Sequence, residues 1–428
     1  MTLGFFDPIA ETLERLQLRE LQLRRVQELL AEILPRNGFY AKKLGGHRVK
    51  TWDDFQELPF TTKSEIAADQ EENPPYGTIL TYPLERYTRF HQTSGTTGKA
   101  PIRVLDTEES WEWWARCWGH VYRGAGVGPG DRVFFAFSFG PFIGFWAAYE
   151  GARTVGAMTL PGGGMQTEQR LKFMLDNNAT VLCCTPTYAL RLAELAEQAG
   201  VDLSGSAIRA TIHAGEPGAS VPGVRARIEQ AFGARCHDHT GMTELGATGF
   251  TCQEQAGPHL IETEFVFEVI DPSTLKPVPR GAQGELVATN LGRAGMPLIR
   301  YRTGDLVQLD ETPCRCGRTF ARLIGGILGR ADDMVVVRGM NVFPSAIEGV
   351  LREFPEVSEF RIEVFSKRSM AELNVLLDPR PGSEDDLAMR VSNRLNDRLL
   401  LRVPCELVPP GSLPRFDLKA QRLVHRDD

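Results

Sequence analysis

The chain has 428 residues, 42% of them hydrophobic and 24% charged, and a formal net charge of −7. That length predicts two or three domains, or one large domain with an appendage, and a sizeable buried core. The acidic balance argues against wholesale nucleic-acid binding, and any anionic ligand must meet cations gathered locally.

The opening MTLGFFDPIAETLERLQ has no basic n-region and carries acids early, so no secretory signal is expected. Residues 9–34 set leucines at helical spacing among charges, which predicts an amphipathic helix packed on its own domain. From about 85 to 330, apolar runs at 132–139, 180–185 and 207–216 alternate with helical patterns such as 167–177 and 187–199. Alternation of this kind predicts an α/β architecture. Residues 133–152 are apolar enough to suggest a membrane span, but Gly140 and Pro141 interrupt them and Glu150 sits inside, so a strand, a turn and a helix are expected instead. A cytoplasmic location follows, and the eight cysteines then need not form disulfides. Between 260 and 310 the runs become short and β-like. After about 332 the pattern predicts a small α+β domain with helices at 344–353 and 383–399. The expected division is therefore 1–331 and 332–428.

The segment HQTSGTTGKAPIRV is the densest in chemical signal: Thr93, Ser94, Gly95, Thr96, Thr97, Gly98 and Lys99 follow one another. Glycines let several backbone N–H groups approach one anion, hydroxyls add donors, and lysine adds charge. It is not a Walker loop. Two residues separate Gly95 from Gly98, where that loop needs four between its glycines, and Ala100 follows the lysine.

This loop resembles the phosphate loop of the adenylate-forming superfamily, which includes acyl-CoA synthetases, firefly-type luciferases and peptide-synthetase adenylation domains. The resemblance continues in order through TGMTE at 240–244, YRTGDL at 301–306, GRADDMVVVRGMNVFP at 329–344 and PRFDLKAQR at 414–422. Within the superfamily, PLIRYRTGDL, CRCGRT and GMNVFPSAIE are most similar to phenylacetate-CoA ligases and related aryl-CoA ligases. The resemblance implies a large α/β domain with a β-rich subdomain, binding ATP and the acid, and a small mobile C-terminal α+β domain. It implies activation of a carboxylic acid by ATP and Mg²⁺ to an acyl-adenylate, then transfer to coenzyme A.

The resemblance also assigns roles. The loop 93–99, with Thr97 among the catalytic residues, would hold the β- and γ-phosphates. Gly215, Glu216, Pro217, Asp238, Thr240, Gly241, Met242 and Thr243 would surround the nucleotide. Glu244 would hold Mg²⁺, a hard cation suited to carboxylate and phosphate oxygens. Asp305, supported by Arg330, would accept from the ribose hydroxyls. Lys419 would reach the carboxylate and the α-phosphate, where two anions must meet. Asp332 is the expected hinge. Thr240 stands where many members carry an aromatic that stacks on adenine, and Leu418 stands where glycine is common.

An aryl acid needs an apolar pocket with few polar handles. Phe142 and Trp146 are candidates, with small Ala214 and Gly215 leaving room for a flat ring. For His213, a hydrogen bond to a ring substituent and a structural role are both open. Cys252, His259, Cys314 and Cys316 form a set that zinc could use structurally, stapling the ends of the β-rich region; buried free thiols are the alternative. No carrier domain is visible, so a carrier protein would be a separate partner in place of coenzyme A. A homodimer is compatible with the sequence, and a non-catalytic nucleotide sensor is the alternative from another class.

Overall fold

The computed structural model describes residues 4–93, 101–138, 140–141, 143–216, 218–331, 335–337, 340–367, 370–399, 401–416 and 422–426. Among these, twelve strands join in one sheet. Its parallel half runs Met158–Pro161, Arg132–Phe135, Val181–Cys184, Ala210–His213 and Arg235–Met242. A parallel sheet is covered on both faces and needs nearly continuous apolar strands. Val181, Leu182, Cys183 and Cys184 meet that need, all of them buried. The covering helices start where capping chemistry dictates. Thr107 accepts the Ser110 N–H at the start of Glu108–Gly124. Thr185 accepts the Tyr188 N–H, with Pro186 in the first turn of Pro186–Gln198.

Past Arg235–Met242 the sheet turns antiparallel through Gly246–Phe250, His259–Leu260, Arg322–Leu323, Tyr301–Asp310, Gln283–Asn290 and Phe265–Ile270. This is the β-rich region expected from the sequence. A second sheet, of six strands, holds Val335–Val337, Met340–Val342, Val357–Lys367, Met370–Pro379, Cys405–Leu407 and Leu423–Arg426. The helices Pro344–Leu351 and Leu387–Leu399 send Ile347, Leu351, Val391 and Leu395 into its separate core, which begins at Val335. Asp332, the expected hinge, lies outside the described residues. No helix among the described residues is long and apolar enough to cross a membrane, and 133–152 divides into the strand Arg132–Phe135 and the helix Ile143–Thr154.

Two sequence expectations need correction. The helix expected over 9–34 is broken: a 3₁₀ turn spans Ala10–Thr12, Leu13 and Glu14 are extended, and the α-helix runs Arg15–Ile33. The cause is Glu11, which is fully buried and accepts from the Phe6 and Asp7 N–H groups and from Arg318. The helix itself packs on its own chain, burying Leu18, Val26, Leu29 and Ile33 in the main core. The strand expected over 132–139 stops at Phe135, and Phe137 beyond it is buried with its ring edge on Phe135. YRTGDL lies inside the strand Tyr301–Asp310, in the region expected to be β-like.

Candidate active site

The parallel strands end at a cavity of about 290 Å³. Ligand sites in open α/β sheets form beyond the carboxyl ends of the strands. Gly215 and Glu216 follow Ala210–His213, and Asp238, Thr240, Gly241 and Met242 belong to Arg235–Met242; all six line the cavity. Gly215 has φ +93°, which glycine tolerates without a Cβ penalty. Glu216 accepts the Thr187 N–H at 2.8 Å. The Thr240 and Thr248 hydroxyls pair at 3.1 Å, so this wall is polar where many members of the superfamily carry an aromatic face. Pro217 lies outside the described residues.

Asp238 is buried, accepts the Ser220 hydroxyl, and has its carboxyl pushed up by burial from 3.8 to about 6. A raised carboxyl means that the folded chain holds its proton more tightly than the unfolded chain. Stability from this group is therefore greatest below about pH 4 and is lost as pH rises through about 6. Asp238→Asn cannot ionise, so the wild type is expected to lose melting temperature relative to it across that window. Parallel melting curves from pH 4 to 7 would contradict the burial.

Glu244 is held on three sides. Lys63 Nζ lies 3.2 Å from Oε1, and the Tyr301 hydroxyl donates to the same oxygen at 3.3 Å. Arg293 donates through Nη1 to the carbonyls of Thr243, at 3.0 Å, and Glu244, at 2.8 Å. Arg293 also pairs bidentately with Asp106 at 2.7 Å, with both side chains fully buried. Lys63 and Arg293 were not anticipated from the sequence. Lys63 balances the charge of this buried carboxylate, and one carboxylate plus phosphate oxygens is a usual Mg²⁺ donor set.

Asp305 and Arg330 are brought together as expected, register partners on antiparallel strands with Nη1 to Oδ1 at 3.0 Å. The register slips between Glu285 and Val287 opposite, and Gly304 has φ +75°. This bulge re-aims the strand so that Thr303 and Asp305 both line the cavity. The phosphate-loop residues Ser94, Gly95, Thr96, Thr97, Gly98 and Lys99 lie outside the described residues, as do Phe142 and Lys419. The loop's base is described: Thr93 and Ile102 exchange hydrogen bonds at 3.0 Å, pinning its two ends together.

Of the acyl-pocket candidates, Trp146 donates its indole N–H to the Gly140 carbonyl at 2.9 Å and is 41% exposed, away from the walls of this cavity. His213 is fully buried and donates Nδ1–H to the Cys184 carbonyl at 3.1 Å; burial lowers its pKa to about 4. Ala214 adjoins it. The sequence reading missed His239. Its Nδ1–H donates to the Gly249 carbonyl at 2.8 Å, its ring lies 4.2 Å from Trp118, and burial lowers its pKa to about 4. His239 lines the cavity as a neutral imidazole whose Nε2 is left as an acceptor. Its strand, RCHDHTGM, carries His237 two residues earlier on the same alternation, and nothing local separates the two.

The cysteine cluster is assembled by sheet pairing, with His259 register-paired to Arg322 beside the Cys314–Cys316 turn. Ligand atoms of Cys252, His259, Cys314 and Cys316 all lie within 4.8 Å of one another. Cys252 and Cys314 sulfurs are 3.9 Å apart, and Cys316 Sγ is 3.6 Å from His259 Nε2. Tetrahedral bonds of about 2.3 Å to sulfur and about 2.0 Å to nitrogen require roughly 3.8 and 3.5 Å for these separations. His259 Nδ1–H donates to the Phe320 carbonyl, which turns Nε2 toward the sulfurs. The residues therefore fit a structural zinc.

A two-domain α/β fold with this cavity defines an AMP-binding enzyme. The AMP-binding enzyme family matches residues 86–293, and the AMP-binding enzyme C-terminal domain matches residues 339–426. The chain is 32% identical to the phenylacetate-coenzyme A ligase of Thermus thermophilus, over 96% of this chain and 97% of that one. It is also 32% identical to the Escherichia coli phenylacetate-coenzyme A ligase, over 97% and 96%. Among solved structures, 2-hydroxyisobutyryl-CoA ligase in its postadenylation state with 2-HIB-AMP aligns with TM-score 0.93 at 29% identity, covering 99% of this chain and 92% of that one. The same enzyme with CoA in the thioesterification state aligns at 0.74, covering 98% and 91%. The chain belongs to the phenylacetate-coenzyme A ligase family. It is an AMP-forming acid–CoA ligase: ATP converts a carboxylic acid to an acyl-adenylate, and coenzyme A takes the acyl group.

Proposed function

We propose that this ligase activates an aryl carboxylic acid of the phenylacetate, benzoate or anthranilate class. The observation that carries the reading is the 32% identity, over nearly the whole chain, to phenylacetate-coenzyme A ligases. The acid's carboxylate attacks the α-phosphorus of ATP, the bond to the β-phosphate breaks, and pyrophosphate leaves. The thiol of coenzyme A then attacks the acyl carbon, and AMP departs with the carboxylate oxygen. Both partners of the first step are anions, so holding them in line and supplying positive charge are the main tasks.

In this reading Asp305 accepts from the ribose hydroxyls while Arg330 holds its carboxylate, and Asp238, Gly215, Glu216 and Thr240 frame the base. Glu244 holds Mg²⁺, which supplies charge neutralisation on the phosphates, with Arg293 fixing the turn beneath it. The loop 93–99 grips the phosphates, and Lys419 reaches the reacting carboxylate. Residues 1–331 carry ATP and the acid, and residues 332–428 carry Lys419 and turn about Asp332 between the two steps. Cys252, His259, Cys314 and Cys316 hold zinc as a structural clasp; four protein ligands leave no open coordination position for catalysis. His239 Nε2, an acceptor in the cavity wall, favours an acid bearing a hydroxyl or amino donor. The 0.93 match to 2-hydroxyisobutyryl-CoA ligase gives a small hydroxy acid as the second reading.

The test supplies ATP, Mg²⁺ and a panel of aryl, short hydroxy and fatty acids, measuring pyrophosphate exchange and CoA thioester together. Preference for a hydroxy or fatty acid over every aryl acid would overturn the aryl reading. Exchange with thioester appearing only on an added carrier protein would overturn the CoA acceptor. Lys419→Ala is expected to slow adenylation by on the order of 10²–10³-fold, while sparing thioester formation from supplied acyl-adenylate. Equal losses in both half-reactions would contradict its role.

A further inference from the structure

The small domain rests on the first turns of two large-domain helices, Pro186–Gln198 and Pro222–Phe232. Each helix opens on a proline, and in each the next residue meets the small domain. In the second helix that residue is Gly223. Its φ is not positive, so the backbone does not call for glycine there, and glycine is a poor helix former. What it provides is room. A Cβ at Gly223 would lie 2.8 Å from the carbonyl oxygen of Arg352, 3.2 Å from its carbonyl carbon and 3.6 Å from the Glu353 nitrogen. All three are backbone atoms of the small domain, at the end of its helix Pro344–Leu351, and backbone cannot swing aside as a side chain can.

In the first helix the residue is Thr187. Its hydroxyl accepts from Arg422 Nη2 at 3.2 Å, and its N–H donates at 2.8 Å to Glu216, which lines the nucleotide cavity. Arg422 is buried and is held from its own domain by Glu359 at 2.6 Å and Glu348 at 3.1 Å. It stands three residues after Lys419 in PRFDLKAQR, so its bond to Thr187 ties the chain just past the lysine to the wall of the cavity. Ser345, Glu348 and Arg422 also line that cavity, and the small domain thus closes over the nucleotide in this arrangement. The alignment with 2-hydroxyisobutyryl-CoA ligase points the same way, at TM-score 0.93 for its postadenylation state against 0.74 for its thioesterification state.

We propose that Gly223 and Thr187 are positioning residues for adenylation: they seat the small domain where Lys419 meets the acid and ATP, and transfer to coenzyme A does not need them. This rests on the reading that residues 332–428 turn about Asp332 between the two steps. Such a turn carries Arg352 and Arg422 off these helix ends, so a side chain at Gly223 obstructs one arrangement and leaves the other alone. Close-packed backbone passes a small displacement on to the whole domain rather than absorbing it.

Both half-reactions are measured on full-length wild type, Gly223→Ala, Gly223→Leu, Thr187→Val and Thr187→Ser. Adenylation is read as pyrophosphate exchange with ATP, Mg²⁺ and phenylacetate, or the acid that the panel ranks first, and transfer as CoA thioester from supplied acyl-adenylate. Gly223→Ala is expected to slow exchange roughly tenfold and Gly223→Leu on the order of 10²-fold, through kcat rather than the KM for ATP, because the large domain holds the nucleotide. Thr187→Val is expected to lose roughly fivefold, the worth of one hydrogen bond, and Thr187→Ser to keep the wild-type rate. Transfer from supplied acyl-adenylate is expected to stay at the wild-type rate in all four. Alanine and leucine favour a helix over glycine, so the Gly223 variants are expected to melt no lower than wild type. Wild-type exchange by Gly223→Leu, or equal losses in both half-reactions, would overturn the proposal. Small-angle scattering of wild type with a non-reactive acyl-adenylate analogue, before and after coenzyme A is added, tests the turn itself. An unchanged profile overturns the turn and the proposal with it, whereas a changed profile with unaffected variants overturns the proposal alone.

Discussion

Arg293→Met is expected to destabilise the protein by about 3–5 kcal/mol and to abolish adenylation together. The substitution strands Asp106, fully buried, without its bidentate partner. Breaking one side of a buried pair is far worse than lacking the pair altogether. The same change removes the donors to the Thr243 and Glu244 carbonyls, so the turn that carries Glu244 is released. The double variant Arg293→Met with Asp106→Leu separates the two effects. It is expected to recover most of the stability, measured by denaturant unfolding, and little of the acid-dependent pyrophosphate exchange. A double variant that regains both would show that Arg293 acts on the fold alone. A single variant with normal exchange would contradict the placement of Glu244.

The second large effect is expected at the cysteine cluster. Metal analysis of the purified protein should find about one zinc per chain. Cys314→Ser, or removal of the metal by a chelator, is expected to loosen the segment from Cys252 to Phe320 before the rest of the fold. Structural zinc contributes roughly 10–16 kcal/mol in isolated zinc domains, so losing it inside a larger sheet opens the strands that it clasps rather than the whole chain. Limited proteolysis should then cut between residues 252 and 320 in the variant and leave the wild type intact. A metal-free wild type that resists protease to the same degree would dismiss the zinc.

Much of the site was legible because its chemistry is local in sequence. Thr240–Glu244 and Tyr301–Leu306 are short runs in which neighbouring residues share one task, and the structure sets Asp305 against Arg330 as their motifs imply. Cys252, His259, Cys314 and Cys316 already formed a set in the sequence, and sheet pairing brings their ligand atoms within 4.8 Å of one another. What escaped is held across long separations. Asp106 and Arg293 are 187 residues apart, and neither stands out in its own neighbourhood. Lys63 opens a surface helix and reads as a solvated charge until the fold lays it on Glu244. The break at Leu13 was invisible because helical spacing reports which residues are apolar, not that Glu11 is drawn inward by Arg318.

That last contact sets an order of events during synthesis. Glu11 and Arg318 are 307 residues apart, and Arg318 also reaches back to the Gly4 carbonyl and the Phe5 ring. A ribosome adding about 5–20 residues per second needs roughly 15–60 s between the two. Throughout that interval the first dozen residues have made none of their contacts with Arg318. Their final burial is a late step of high contact order, timed by the emergence of the cysteine turn beside Arg318 rather than by their own early exit.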